Sequence, residues 1–264
     1  MPEMWTRLRP WAFPLLLLTT LEVYVRRVSA SSDALAPPTQ ALKAWWALLW
    51  LTTDEGLWQV TGFTLGTAAL GLLLGAFLGL VLGLILGLSQ RAGHMSFLTI
   101  EVLRPIPSVA LIPLTMLVFG FGVRMELSVV AFATFWPMLI LTQAAARQVE
   151  PRLLEVSDAL GLNAWQRTKW IVLPAMVPRL FVALRLGVAV ALVVAVTVEI
   201  AANPHGMGYA MMIAQQSMEP ARMLAWLFWI GAVGTLINAL TLRAQHWVHV
   251  RMGGTLPQTS QAST

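Results

Sequence analysis

The sequence predicts an all-α integral membrane protein with six transmembrane helices, and three observations carry that prediction. Of its 264 residues 58% are hydrophobic and only 11% are charged, whereas a soluble domain carries about 25% charged residues. Much of the exterior therefore faces something other than water. Several apolar stretches reach the ~20 residues that a helix needs to cross a hydrocarbon core of about 30 Å. None shows the ~10-residue alternating segments of a membrane β-barrel.

The first span is placed at about Trp11–Val25, after Arg7 and Arg9. It is short, and Glu22 interrupts it. A cleaved signal peptide is the rival reading, since Val28, Ser29 and Ala30 resemble a small-residue cleavage site; Arg26 and Arg27 stand where such a site is usually uncharged. A polar, proline-containing stretch follows from Ser29 to Thr39. Ala41–Leu51 is apolar but too short to cross, and Trp45, Trp46 and Trp50 suit a helix lying at the interface.

The second span, about Val60–Leu88, has Gly71, Gly75, Gly79, Gly83 and Gly87 at every fourth position. These form a ridge without side chains that lets another helix approach closely. Tight packing inside the subunit and a helix that slides during gating both use such a ridge. The third span is placed at about Pro105–Val123, with Pro107, Pro113, Gly120 and Gly122, and the fourth at Leu127–Gln143, with Pro137 inside it. Neighbouring helices satisfy the carbonyls that membrane prolines free, so a kinked helix lining a cavity is one role for them. After a polar segment from Ala144 to Arg179, the fifth span covers Leu180–Ala202 and the sixth Met223–Leu242; the tail Ser260–Thr264 reads as disordered. The expected organisation is residues 1–55 for the tail, first span and interfacial helix, 56–245 for the transmembrane domain with a loop at 144–179, and 246–264 for a C-terminal tail.

Charge sets the orientation. With the N-terminus inside, Arg7, Arg9, Arg91, Arg104, Arg147, Arg152, Arg167, Lys169, Arg179, Arg185, Arg243 and Arg251 fall on the inner side. Arg26, Arg27, Lys43, Arg124 and Arg222 fall outside. Twelve against five places both termini in the cytoplasm.

Chemistry is sparse. A phosphate-binding loop needs a lysine after glycine, and neither Lys43 nor Lys169 follows one. The chain has no cysteine, so thiolate metal sites are excluded. His246 and His249 lie one turn apart without a carboxylate after them, which suits headgroup contact better than a metal. Neither a nucleophile–base pair nor a carboxylate dyad is visible, which argues against an intramembrane enzyme and against a bound cofactor. Glu199, near the outer end of the fifth span, is the acid that stands out, because an ionisable group at membrane depth is costly and usually faces protein or water. Two readings stay open for it. It borders a translocation path or pairs with a polar group on another helix, or it reaches headgroup water.

The most specific signal lies between the fourth and fifth spans. Pro151 can start a helix with Leu153, Val156 and Leu160 on one face. Gly161 is placed to close it in a left-handed conformation, Asn163 to cap a second helix, and Pro174 to end that one. A helix–turn–helix with one apolar face has no reason to stand in water alone, and docking on a soluble partner is expected.

Glu155, Gly161, Ile171, Leu173 and Pro174 match the spacing of the EAA motif, E-A-A-x3-G-x9-I-x-L-P, so this segment resembles the cytoplasmic loop of ABC importer permeases. Val156 and Ser157 replace the two alanines, and Asp158 follows them. Arg104–Pro113 with Phe119–Gly122, and Glu199–Asn203 with Gly206–Tyr209, are similar to the nitrate/sulfonate/taurine branch. The resemblance runs from about Gly62 to the end of the sixth span; Pro204 and His205 depart from the branch pattern. It implies a type I ABC importer permease-like fold with a cytoplasmic coupling helix–turn–helix. It also implies a homodimer in the inner membrane, two copies of an ABC ATPase subunit that carries the ATP-Mg, and a periplasmic or lipid-anchored solute-binding protein. The implied activity is import of a small solute by alternating access, with sulfonates, nitrate, taurine and vitamin precursors among the branch's cargoes. The loop (Glu155, Ser157, Asp158, Gly161, Ile171, Leu173 and Pro174) would pass ATPase motion to the helices, and Glu199, Pro107 and Pro113 are candidates for the path. An ion-gradient-driven secondary transporter is the alternative; it would carry midplane acids or broken helices in paired repeats.

Overall fold

The computed structural model describes residues 16–17, 19–27, 36–51 and 56–251, with His249 by its backbone alone. The start of the predicted first span, the rival cleavage site and the C-terminal tail lie outside these residues. Among the described residues all regular structure is helical. A helix over residues 19–27 (α1) is followed by Pro38–Leu49 (α2), Leu57–Leu88 (α3) and Gln90–Leu103 (α4). A 3₁₀ turn at Ser108–Leu111 leads into Ile112–Phe119 (α5), and Val123–Arg147 (α6) follows. Then come Pro151–Ala159 (α7), Ala164–Arg167 (α8), a π turn at Thr168–Val172, Leu173–Ala201 (α9), Gly206–Gln216 (α10) and Pro220–Arg251 (α11). Among the described residues four helical stretches are long and apolar enough to cross a membrane: α3, α6, the continuous Ala164–Ala201, and Pro220–Val248. The pair α4 and Ser108–Phe119 makes a fifth if taken as one span, bent by 81°.

Two sequence expectations change here. The stretch predicted as the third span, Pro105–Val123, is not a single helix but is divided between the 3₁₀ turn, α5 and the start of α6, and α4 occupies a stretch whose polar start resembles a loop. Ser89 caps α4, its hydroxyl accepting from the Ala92 amide at 3.3 Å. Pro105 and Pro107 then stop the helix, because neither has the N–H that would continue its hydrogen bonding; Arg104 itself is still helical at φ −57°, ψ −43°. Neither of the path prolines kinks a continuous helix: Pro107 precedes the 3₁₀ turn and Pro113 sits in the first turn of α5. The second change concerns Pro174, which does not end a helix. The chain stays helical from Ala164 to Ala201. The π turn just before Pro174 widens the helix, a local adjustment that goes with insertion of a proline ring.

The chain divides into two compact units, residues 1–66 with 196–233, and residues 67–195 with 234–264. In the first unit α2 begins with Pro38 behind a Pro37 that has no capping side chain. Glu22 of α1 supplies the missing acceptor, taking the Thr39 amide at 3.1 Å and its hydroxyl at 2.7 Å, while Arg26 donates to the same carboxylate at 2.6 Å. The acid that interrupts the predicted first span thus starts the next helix. Trp229 of α11 lies between Trp45 of α2 and Trp58 of α3, at 5.9 and 5.7 Å, and donates its indole N–H to Thr61 at 2.8 Å.

The second unit is organised by the glycines of α3. Gly71 faces Val130, Gly75 faces Thr134, Gly79 faces Met138, Gly83 faces Thr142 and Gly87 faces Ala146, all on α6. Each partner lies 59 residues further on, the separation that also joins Thr67 to Glu126. A constant offset means that the two helices run parallel and in register. The segment between them therefore returns the chain from the end of α3 to the level at which α6 begins. At Gly79 a Cβ would stand 2.7 Å from the Phe135 carbonyl oxygen and 2.9 Å from the Leu139 nitrogen. Main chain meets main chain there, and only glycine leaves room. At the head of this ladder Thr67 donates to the fully buried Glu126 at 2.5 Å.

Gly79→Leu should lower the thermal midpoint of the purified protein, overpacking of this kind costing about 1–3 kcal/mol. Gly66→Leu, whose added Cβ would meet nothing within 4 Å, should leave the midpoint near that of the parent. Thr67→Val and Glu126→Ala should each cost about 1–3 kcal/mol by leaving a buried polar group short of a partner. The double variant should cost less than their sum, and strict additivity in such a cycle would break the rung.

Candidate functional site

The helix–turn–helix after α6 is built by local chemistry. Pro151 opens α7, and Gly161 closes it at φ +65°. The Leu162 amide donates back to the Ser157 carbonyl at 3.1 Å and the Gly161 amide to the Asp158 carbonyl at 3.1 Å. This is the Schellman arrangement, which satisfies the last carbonyls of a helix through one left-handed residue. Asn163 then caps α8: its side chain accepts from the Gln166 amide at 2.8 Å, and the Gln166 side chain accepts from the Asn163 amide at 3.0 Å. Arg167 reaches back to Asp158 at 3.4 Å, joining the two arms.

One side of this piece is packed. Ser157 is buried, its hydroxyl donating to the Leu154 carbonyl at 2.5 Å. Val172 and Met176 form a core with Ala145, Ala146 and Val149, against which Leu154 rests. Ile171 and Leu173 are half-buried; Glu155, Asp158, Gly161 and Pro174 are exposed. The other side is apolar and bare. Leu153 and Val156 of α7 and Leu160 just after it are exposed, as are Trp165 at 72% and Trp170 at 66%. The candidate residues from Glu155 to Pro174 are thus gathered in one place, with an apolar face towards solvent.

Glu199 stands apart from them, in the first unit. It is fully buried, so headgroup water is not its partner. Its carboxylate accepts from the Gly208 amide at 2.9 Å, while Thr64 accepts from the Met207 amide at 2.9 Å. Together they satisfy first-turn amides of α10, where His205 offers no capping side chain. A negative charge at a helix N-terminus is also favoured by the helix dipole. Gly206, at φ +93°, is required twice over: a Cβ there would run into the Glu199 carboxylate. Pairing with a polar group on another helix, one half of the first reading from sequence, therefore describes this environment. Pro107 and Pro113 belong to the other unit and are exposed. Sequence reasoning missed Glu126, because its place just before Leu127 reads as the span's edge; the Thr67 that precedes the glycine row by four residues was the available signal.

Among the described residues no group of three or more His, Asp or Glu side chains is placed to hold a metal.

Comparison with known proteins agrees with this architecture. Residues 71–254 match the family described as binding-protein-dependent transport system inner membrane component. The chain is 33% identical over 172 residues to a putative aliphatic sulfonates transport permease protein, SsuC, of Bacillus subtilis, the match covering 65% of this chain and 62% of that protein. It is 29% identical over 213 residues to the protein of the same name in Escherichia coli, covering 81% and 80%. In fold it is similar to a chain of the inward-facing MetNI methionine ABC transporter, with a TM-score of 0.65 at 17% identity, over 75% of this chain and 99% of that one. The chain belongs to the binding-protein-dependent transport inner-membrane component family, in its nitrate/sulfonate/taurine branch of ABC importer permeases.

Proposed function

We propose that the chain is the membrane permease subunit of an ATP-driven importer that moves a small solute of the sulfonate, nitrate, taurine or vitamin-precursor class by alternating access. It crosses the inner membrane six times with both termini in the cytoplasm, the bent pair of α4 and α5 counting as the third span. It works as a homodimer beneath a solute-binding protein, and two ATPase subunits on the cytoplasmic side hold the ATP-Mg and hydrolyse it. The chain itself is not catalytic and binds no cofactor. Residues 1–55, 56–245 and 246–264 are its N-terminal part, permease domain and tail, with 144–179 as the coupling loop.

One observation carries this proposal: the helix–turn–helix held rigid by Gly161 and Asn163, with Leu153, Val156 and Leu160 left exposed beside it. A cytoplasmic apolar face on a stiff, helix-linked element suits docking on a moving partner. Because α8, the π turn and α9 are one continuous helix, displacement of the docked element is transmitted directly along a membrane span. Both of these buried acids bond to the protein itself, Glu126 to the Thr67 hydroxyl and Glu199 to the Gly208 amide, which favours the ATP-driven reading over an ion-gradient carrier. Membrane vesicles should take up substrate with ATP and no ion gradient; uptake driven by a gradient without ATP would select the rival.

For topology, cysteines replacing Lys43 and Arg91, both exposed, should label oppositely in intact cells. Lys43→Cys should react from outside and Arg91→Cys only after permeabilisation; equal labelling would overturn the six-span arrangement. For coupling, Gly161→Val should leave the protein inserted but weaken its hold on the ATPase. A Cβ at Gly161 would meet nothing within 4 Å, so within the chain the cost is the positive φ, about 1 kcal/mol or more. Any larger loss of co-purifying ATPase reports on the docking surface. Glu155→Ala should act in the same direction, and retention of the ATPase with normal substrate-stimulated hydrolysis in both variants would remove the loop from the mechanism.

A further inference from the structure

We propose that a groove beside the middle of α6 is a binding site for a small organic oxyanion, with Arg104, Ser108 and Trp136 holding its charged head. This rests on the permease reading and assigns the substrate class to particular side chains. The groove encloses about 430 Å³, near the small end of the range of ligand pockets, about 300–1,000 Å³. Its polar rim comes from the break between α4 and the 3₁₀ turn, where Arg104 and Ser108 line it. Its floor is α6, at Trp136 and Pro137.

The depth of this groove matters first. Trp136 lies 13 residues after Val123, the start of α6, or about 20 Å along the axis at 1.5 Å per residue. It is therefore near the centre of a helix apolar enough to cross a membrane, and the shared groove brings Arg104 to this level rather than to the inner side where the charge count placed it. A charged side chain lining a cavity at that level marks a water-filled route or a ligand, since it is too costly to leave against lipid. Arg104 forms no ion pair with any carboxylate among the described residues. No acidic residue lines the groove.

The second observation is independent of the first. Trp136 is 91% buried, wedged edge-on against Phe132 and Phe135 at 5.6 and 5.0 Å, yet its indole N–H meets no acceptor in the protein. An indole N–H only donates and usually finds a partner when buried. A guanidinium fork, a hydroxyl and an indole N–H form a set rich in donors, complementary to the oxygens of a sulfonate, carboxylate or similar anion. The remaining wall, including Ile140, Leu186 and Val190, is apolar and suits a short alkyl chain attached to that head. An inorganic anion would leave this wall unused, and a large aromatic cargo would find no acceptors.

The test uses the full chain in nanodiscs and radiolabelled ethanesulfonate as the probe, read by scintillation proximity. The parent protein should bind it saturably. Arg104→Gln should weaken binding by at least about tenfold, the loss expected for a charge-assisted contact. Trp136→Phe, which removes the N–H together with part of the bicyclic ring while keeping an aromatic group against Phe132 and Phe135, should weaken it by a few fold, and Arg104→Lys should retain more affinity than Arg104→Gln. Arg124→Gln, away from the groove, should bind as the parent does. Absence of saturable binding by the parent, or parent-like binding by both Arg104→Gln and Trp136→Phe, would overturn the site. A lipid phosphate has the same headgroup chemistry, so discs of phosphatidylcholine are compared with discs containing phosphatidylglycerol. Loss of ethanesulfonate binding in the anionic discs would give the groove to lipid and overturn the solute assignment. ATPase co-purification, measured on the same variants, separates the two proposals: an intact complex with unaltered anion binding removes the groove alone, and failure of the parent to hold an ATPase removes the permease reading.

Discussion

The close approach of α3 to α6 is the constraint on which residues 67–195 depend. Lipid tails are as apolar as leucine, so the hydrophobic effect that assembles soluble helices has little to offer between two membrane helices. What remains is van der Waals contact and hydrogen bonding, and both fall off steeply with distance. Five glycines at four-residue steps allow the α3 backbone to meet the α6 backbone along most of their shared length. The outward face of α3 is then free to be plainly greasy, with Leu73, Phe77 and Ile85 exposed. Once these helices are fixed in parallel, the chain between them has to turn back within one span's length. The prolines at 105 and 107 break the helix within that return, where the axis bends by 81°.

Polar groups at depth are used as connectors rather than tolerated as defects. Three threonines on α3, at positions 61, 64 and 67, reach a tryptophan, a backbone amide and a carboxylate respectively. Glu199 performs for α10 what a capping side chain would do in water, and Glu22 performs the same service for α2. In each case the acid lies on one helix and the amides on another. At the fully buried Glu199 such a contact resists displacement, because separation would strand a charge and an N–H together where water is scarce; Glu22 makes its contact at the surface.

The helix–turn–helix after α6 follows a different logic. Its shape is set by short-range bonds: the paired back-donations at Gly161, the reciprocal cap at Asn163, and the Asp158–Arg167 contact. None of these needs the membrane. Tertiary packing enters through Ser157, whose small side chain is buried where one of the motif's alanines would stand. Leu153, Val156 and Leu160 stay exposed beside it, and the continuous helix from Ala164 joins that face to a stretch long and apolar enough to cross a membrane.

The sequence by itself determined the features that arise from composition and near neighbours. Few charges and long apolar runs imply membrane helices; the row of glycines implies a close-packed ridge; Gly161 and Asn163 sit at fixed offsets that a turn of this type demands. Their physics is contained within a few residues, so it is legible in one dimension. The tertiary structure decided what depends on partners distant in the chain. Only the 59-residue register with α6 shows what the glycines meet and turns Glu126 from a boundary residue into a buried rung. Glu199 finds its purpose in a helix that begins after it and that sequence periodicity did not reveal. Pro174 reads locally as a stop, but the π turn before it lets the helix run on. The groove at Arg104 joins a break in one span to the middle of another, and no spacing along the chain measures that distance.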